Sequence, residues 1–176
     1  MIKEITGLHH ITSMASNADA NNVFFTKTLG LRRVKKTVNF DAPEVYHLYY
    51  GDEIGTPGSV MTYFPFAKMS PGQRGAGEVS ITEFAVPKDA LGFWKERLST
   101  LGVSSLMESS FLGEKRLSFD GPDGDGFALV ESDLRGRTPW PEADVPEAAG
   151  ILGFHGARFR LQDAAATGEL LKFMGY

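Results

Sequence analysis

Two adjacent histidines, His9 and His10, sit in the run Gly7-Leu8-His9-His10-Ile11-Thr12, and one of them returns 145 residues later as His155 behind Phe154. Side chains alternate along a strand, so only one of the pair faces a given side. If His10 points into a cavity, Thr12 and Met14 share its face, while His9 and Ile11 point away. An imidazole held on a rigid strand beside a half-enclosed space is a suitable nitrogen ligand for a divalent metal. A further histidine, His47, lies in Val45-Tyr46-His47-Leu48-Tyr49-Tyr50 and would share a face with Tyr49. Such an aromatic strand suits a phenolic ligand, through ring contact and hydroxyl hydrogen bonding, and equally suits a core. Cysteine is absent, so thiolate sites and disulfides are excluded. The segment Gly121-Pro122-Asp123-Gly124-Asp125-Gly126 has neither a following helix nor EF-hand spacing, and it reads as a hairpin turn.

The elements that must position these groups repeat. Residues 5 to 14 read as a strand. Ser16 and Asn17 are good caps for a helix from Ala18 to Leu29, stopped by Gly30, with Val23, Phe24, the Lys27 stem and Leu29 on its packing face. Strands follow at 31–40, 45–50 and 59–66. After a glycine-rich linker the same order returns: a strand at 78–86, a helix from Pro87-Lys88-Asp89 to Thr100, then strands at 104–110, 115–119 and 127–131. The helix stops Leu29-Gly30-Leu31 and Leu101-Gly102-Val103 lie 72 residues apart, and a third copy begins near Ile151. The expected architecture is α+β: repeated βαβββ modules, two of them paired into a curved mixed sheet around a cavity, plus a truncated third module. The expected divisions are residues 1–67, 68–132, a linker at 133–150, and the strand and helix of the incomplete module at 151–176. A helix without its partner strands should leave 151–176 dependent on another chain, through a homo-oligomer or exchange of this segment.

A net charge of -4, with 18 basic and 22 acidic residues, gives no broad field for nucleic acid or an anionic membrane. The basic run Arg32-Arg33-Val34-Lys35-Lys36 alternates around Val34 and reads as a solvated strand face. No leader sequence and no apolar run of about 18 residues is evident. Together with the lack of cysteine, this points to a cytoplasmic protein.

The module order, with HHIT at the start, FFTKTLGLRRVKKTVNF after it and DGPDGDGFALVES closing the second unit, resembles the vicinal oxygen chelate superfamily. That group includes glyoxalases, bleomycin-resistance proteins and extradiol ring-cleaving dioxygenases. LHHIT followed by LGLRRVKKTVNFDAPEVYHLYYGD is most similar to its hydroquinone-type ring-cleaving dioxygenases, which have four modules. The resemblance implies an Fe(II)-dependent enzyme, with Mn(II) as an alternative metal, that opens hydroquinone-like diols with O2. It implies His10 as a metal ligand, because the family's first-strand ligand lies 14 residues before the aromatic pair Phe24-Phe25. It implies His9 as the neighbouring histidine that supports the ligand or moves protons, and Thr12 as a residue lining the substrate pocket.

The other ligands of a two-module relative are missing. The second module places Thr82 where a histidine would stand, and the fourth strands offer Val60, Met61 and Thr62, then Leu129 and Val130. Glu83 and Glu131 lie nearby. Four-module relatives take the remaining histidine and glutamate from module four, so these 176 residues resemble the N-terminal half of such a chain, and His155 reads as structural. Two further readings remain: a metal-free protein that binds an aromatic compound or antibiotic in the bleomycin-resistance manner, and a glyoxalase-type isomerase.

Overall fold

The computed structural model describes residues 5–141 and 144–176. Strand β1 (His10–Ala15) leads to helix α1 (Ala18–Val23), a π-helical turn (Phe24–Thr28), and strands β2 (Arg32–Val38), β3 (Tyr46–Gly51) and β4 (Val60–Pro65). The second unit runs β5 (Glu78–Val86), α2 (Leu91–Thr100), β6 (Met107–Phe111), β7 (Glu114–Asp120) and β8 (Gly126–Glu131). Strand β9 (Gly153–Arg160) and helix α3 (Ala165–Met174) open a third. The α+β class and the recurring βαβββ order are therefore both present. No described helix is long and apolar enough to cross a membrane.

The first unit forms a four-stranded sheet in the order β1-β4-β3-β2, and the second a five-stranded sheet in the order β6-β7-β8-β5-β9. In each, the first strand runs parallel to the fourth. Strand β9 adds antiparallel to β5, so the second sheet recruits the opening strand of the third unit.

Each of the three helical segments ends at a glycine with positive φ, at Gly30, Gly102 and Gly175. Only glycine turns left-handed there without a Cβ penalty, which is why the helix stops are legible as a repeat. At the other end of α1, Asn17 Oδ1 accepts from the backbone N–H groups of Asp19 and Ala20, both at 2.9 Å. This satisfies donors that the first helical turn leaves unpaired.

The continuation of α1 departs from the expected face. Val23 is exposed, and the π turn, closed by Leu29 N–H donating to the Phe24 carbonyl at 2.9 Å, buries Phe24, Phe25, Thr28 and Leu29. The wider turn sets the Phe24 and Phe25 rings at 88°. Phe25 stacks on Tyr50 of the first sheet, while Phe24 meets Phe119 and Phe127 of the second. One aromatic pair thereby joins both sheets in a shared core that also holds Tyr63, Phe84, Trp94 and Leu129.

Two polar contacts fix the units further. Arg97 of α2 donates to the carbonyls of Lys27 (2.6 Å) and Thr28 (3.0 Å) at the end of the π turn, and to that of Asp144 (2.8 Å). In the hairpin after β7, Asp125 accepts from Tyr63 Oη at 2.6 Å and from Ser13 Oγ at 3.2 Å. The segment Gly121–Gly126 is a turn as expected, and its carboxylates bind the first unit.

The start of the third unit corrects one expectation. Ile151, Leu152, Gly153 and Phe154 are buried within this chain, with Phe154 stacked on Phe84 at 5.4 Å. The dependence on a second chain expected of 151–176 therefore does not hold for its first residues. Helix α3 has no buried residue.

Candidate functional site

Strand register decides which side chains share a face. His10 pairs with Val60, Thr12 with Thr62, Tyr49 with Thr62, and Lys35 with Tyr49. Thr12, Thr62, Tyr49 and Lys35 thus form one polar row across all four strands of the first sheet, beside the His10 row. The opposite face carries Ala15, Leu48, Tyr50, Met61 and Tyr63 into the core. The row face is the open one, with His10 and Thr12 exposed.

His10 begins β1 and its side chain lies on the open face with Thr12 and Met14, as alternation requires. His9 precedes the strand, which starts at His10 rather than Ile5 because pairing with β4 begins there. Freed from alternation, the His9 ring turns against His10: Nδ1 to Nδ1 is 3.1 Å, with the rings at 86°. The structure therefore brings together the two histidines that strict alternation would separate. The shared contact uses Nδ1 of both rings, which leaves Nε2 as the nitrogen through which His10 could bind a metal.

Thr12 Oγ1 lies 2.8 Å from Thr62 Oγ1. Deeper on the same face, His47 Nδ1 meets Tyr49 Oη at 2.8 Å, and the His47 ring stands 4.0 Å from Phe64 and 4.1 Å from Tyr49. Burial, then the neighbouring His10 and Lys35, hold the His47 pKa below its ordinary value, so the ring is neutral. Burial raises that of the Tyr49 phenol, which stays protonated. Lys35 Nζ lies 5.5 Å from the centre of the Tyr49 ring.

The second sheet's corresponding face is closed by charge. Glu83 Oε1 accepts from Arg116 Nη1 at 2.7 Å and from Arg158 Nε at 2.6 Å. Arg116 also meets Glu114 Oε2 at 3.1 Å, and His155 Nε2 lies 3.1 Å from that same oxygen. His155 thus meets Glu114 within the second sheet. Glu83, 6% exposed, is held by two guanidinium groups and is not free to bind a metal. Glu131, the last residue of β8, faces the start of α2, where its Oε1 accepts from Leu91 N–H at 3.4 Å. Thr82 is buried on the core face beside Phe127.

No group of three His, Asp or Glu side chains among the described residues could hold a metal ion. His10 fits one position of a metal centre, but the donor set for a complete one is not present among these residues. The pairing of Glu83 with Arg116 and Arg158 was not anticipated from the sequence. The only available signal was an arginine in the apolar alternation Arg116-Leu117-Ser118-Phe119, a charge that requires a buried partner.

Two βαβββ units, together with the similarity to the relatives and solved structures that follow, place the chain in the vicinal oxygen chelate superfamily.

Within it, the chain is similar to MhqE of Bacillus subtilis strain 168, provisionally named a ring-cleaving dioxygenase, with 42% identity over 94% of this chain and 54% of that protein. It is 40% identical to the chlorohydroquinone/hydroquinone 1,2-dioxygenase of Sphingobium indicum, over 87% of this chain and 49% of the other. A crystal structure of a provisionally named dioxygenase from B. subtilis superposes with a TM-score of 0.90 at 38% identity, covering 96% of this chain and 54% of that one. A glyoxalase family protein of Enterococcus faecalis shares the fold, with a TM-score of 0.56 at 22% identity over 71% of this chain and 97% of its own. No family model matches the chain. The chain spans about half the length of the curated relatives it matches.

Proposed function

We propose that this chain supplies the first two modules of an Fe(II)-dependent ring-cleaving dioxygenase of the extradiol type, acting on hydroquinone-like aromatic diols with O2; Mn(II) is the alternative metal. The observation that carries the reading is His10, presented at the edge of an open sheet face beside a row of hydroxyl groups, in a chain whose named relatives are ring-cleaving dioxygenases. A bound metal would supply oxygen activation. This chain's residues would bind and orient: His10 as one ligand, His9 holding the His10 ring through the Nδ1 contact, and Thr12 lining the pocket with Thr62. The absence of cysteine and the acidic balance support a cytoplasmic setting without nucleic-acid or membrane partners. Exposed Leu170 and Phe173 on α3 support packing of that helix against a second copy or a further module.

The test measures O2 uptake and bound metal together, on the full-length protein with all its modules, supplied with Fe(II). Hydroquinone-dependent O2 consumption, lost along with metal in His10→Ala, is the expected result. No uptake by the wild type, with metal content unchanged in His10→Ala, would sink the proposal.

A second reading, a metal-free protein that sequesters an aromatic compound, is favoured by the fourth strands. Val60 and Thr62 of the first, and Leu129 and Val130 of the second, stand where carboxylate ligands would be needed. Tight aromatic binding by metal-stripped protein, without turnover, would select it.

A further inference from the structure

The His47–Tyr49 pair is a half-buried polar contact that the metal-ligand reading does not use. His47 Nε2 is buried and has no hydrogen-bond partner among the described residues. If Tyr49 donated its proton to Nδ1, the ring proton would sit on Nε2 as a buried donor with no acceptor. Orphaned N–H groups are rarer in folded proteins than under-satisfied acceptors. The opposite arrangement leaves only a lone pair unmatched: the His47 proton sits on Nδ1 and donates to Tyr49 Oη. That the ring is neutral requires one tautomer or the other. The hydroxyl of Tyr49 then accepts from below and keeps its own proton to donate.

The placement of that hydroxyl gives it a target. Tyr49 lies in the row Thr12–Thr62–Tyr49–Lys35, one step from the His10 row on the same open face. Phe64 packs against His47 with ring centres 4.0 Å apart and restrains the imidazole. Lys35 sets a positive charge at the far end of the row, where an oxygen carrying partial negative charge is favoured.

We propose that Tyr49, oriented by His47, donates a hydrogen bond from the open face of the first sheet to a ring oxygen of a phenolic substrate. Tyr49 is the contact residue and His47 its positioning residue. The inference deepens the dioxygenase reading by naming what recognises the oxygenated ring, and it rests on that reading only for the substrate class.

The test titrates hydroquinone into the metal-free chain and into Tyr49→Phe, His47→Leu and His47→Gln, with folding of each checked by its circular dichroism spectrum and melt. Removing one hydrogen bond to a neutral ligand should weaken binding about 5- to 10-fold in Tyr49→Phe. His47→Leu should match that loss, and His47→Gln, whose amide can still donate to Tyr49, should recover part of it. Nitrogen-15 spectra should show the His47 proton on Nδ1. Equal affinity in Tyr49→Phe and wild type, no binding by the wild type at about 10 mM hydroquinone, or a proton on Nε2 overturns the inference. O2 uptake by the full-length protein supplied with Fe(II) separates the two ideas. Wild type that binds hydroquinone through Tyr49 yet consumes no O2 defeats the enzyme reading and leaves the subsite. Turnover with KM unchanged in Tyr49→Phe does the reverse.

Discussion

The hydroxyl of Tyr63, on the core side of β4, donates to Asp125 Oδ2 at 2.6 Å across the junction of the two units. Burial, as the largest effect, raises the Asp125 pKa above 3.8, and the hydrogen bonds from Tyr63 and Ser13 pull it partly back. The folded state therefore holds this proton more tightly than the unfolded chain does. Ionising Asp125 costs stability, which falls as pH rises from 3.8 through the folded value. Tyr63→Phe removes a donor that favours the carboxylate, so it should cost about 2 kcal/mol at pH 7, the end of the range that favours the charged form. Near pH 4 the loss should be smaller. Denaturant melts at both pH values check this, and equal losses would contradict it.

A second expectation concerns Glu83, which accepts from Arg116 and Arg158 while 6% exposed. Replacing it with Ala strands the Arg158 guanidinium and leaves Arg116, 2% exposed, with Glu114 as its remaining carboxylate. Breaking a buried pair from one side typically costs about 3–5 kcal/mol. Glu83→Ala should lose stability on that scale in a denaturant melt. Glu83→Gln, which still accepts hydrogen bonds, should lose less and keep the metal content of the wild type. A drop in bound metal without a stability loss would mean that Glu83 is a ligand after all.

These two contacts show where sequence reading stops. The repeat was legible because each helix ends on glycine, a backbone requirement visible in one residue type. The shared face of His47 and Tyr49 was legible because strands alternate. Two features were not. His9 reached His10 only because β1 starts one residue after it, and strand ends are set by pairing with β4 rather than by local propensity. The partnership of Glu83 with Arg116 and Arg158 joins residues 33 and 75 positions apart, which no local pattern encodes. The burial of Ile151 and Phe154 was missed for the same reason. The strand that Ile151 precedes and Phe154 belongs to pairs with β5, whereas the module repeat alone assigned it to strands of its own unit.

Arg97 makes a third prediction. Its guanidinium donates to the carbonyls of Lys27, Thr28 and Asp144, capping the π turn that carries Phe24 and Phe25. Arg97→Met keeps the stem but leaves those helix-end carbonyls without this partner, at a cost of about 2 kcal/mol. Arg97→Lys should restore only a fraction, because one ammonium cannot span three acceptors that a planar fork reaches. Thermal melts of the two variants provide the comparison. Full recovery by lysine would show that charge at the helix end matters and the fork does not.

The last expectation separates the two halves of the third unit. Phe154 of β9 stacks on Phe84 and is 9% exposed, whereas α3 carries no buried residue and leaves Phe173 61% exposed. Truncating Phe154 to Ala in a packed core should cost about 3–4 kcal/mol, while Phe173→Ala should stay within about 0.5 kcal/mol if nothing covers α3 in solution. Amide exchange should follow the same division, with the β9 residues paired to β5 protected and α3 exchanging through local opening. If a second copy covers α3, Phe173→Ala will destabilise and the melting temperature will rise with protein concentration, because association stabilises the folded state by mass action. A concentration series on wild type and Phe173→Ala therefore decides whether the apolar side of α3 is an interface or an exposed surface of the single chain.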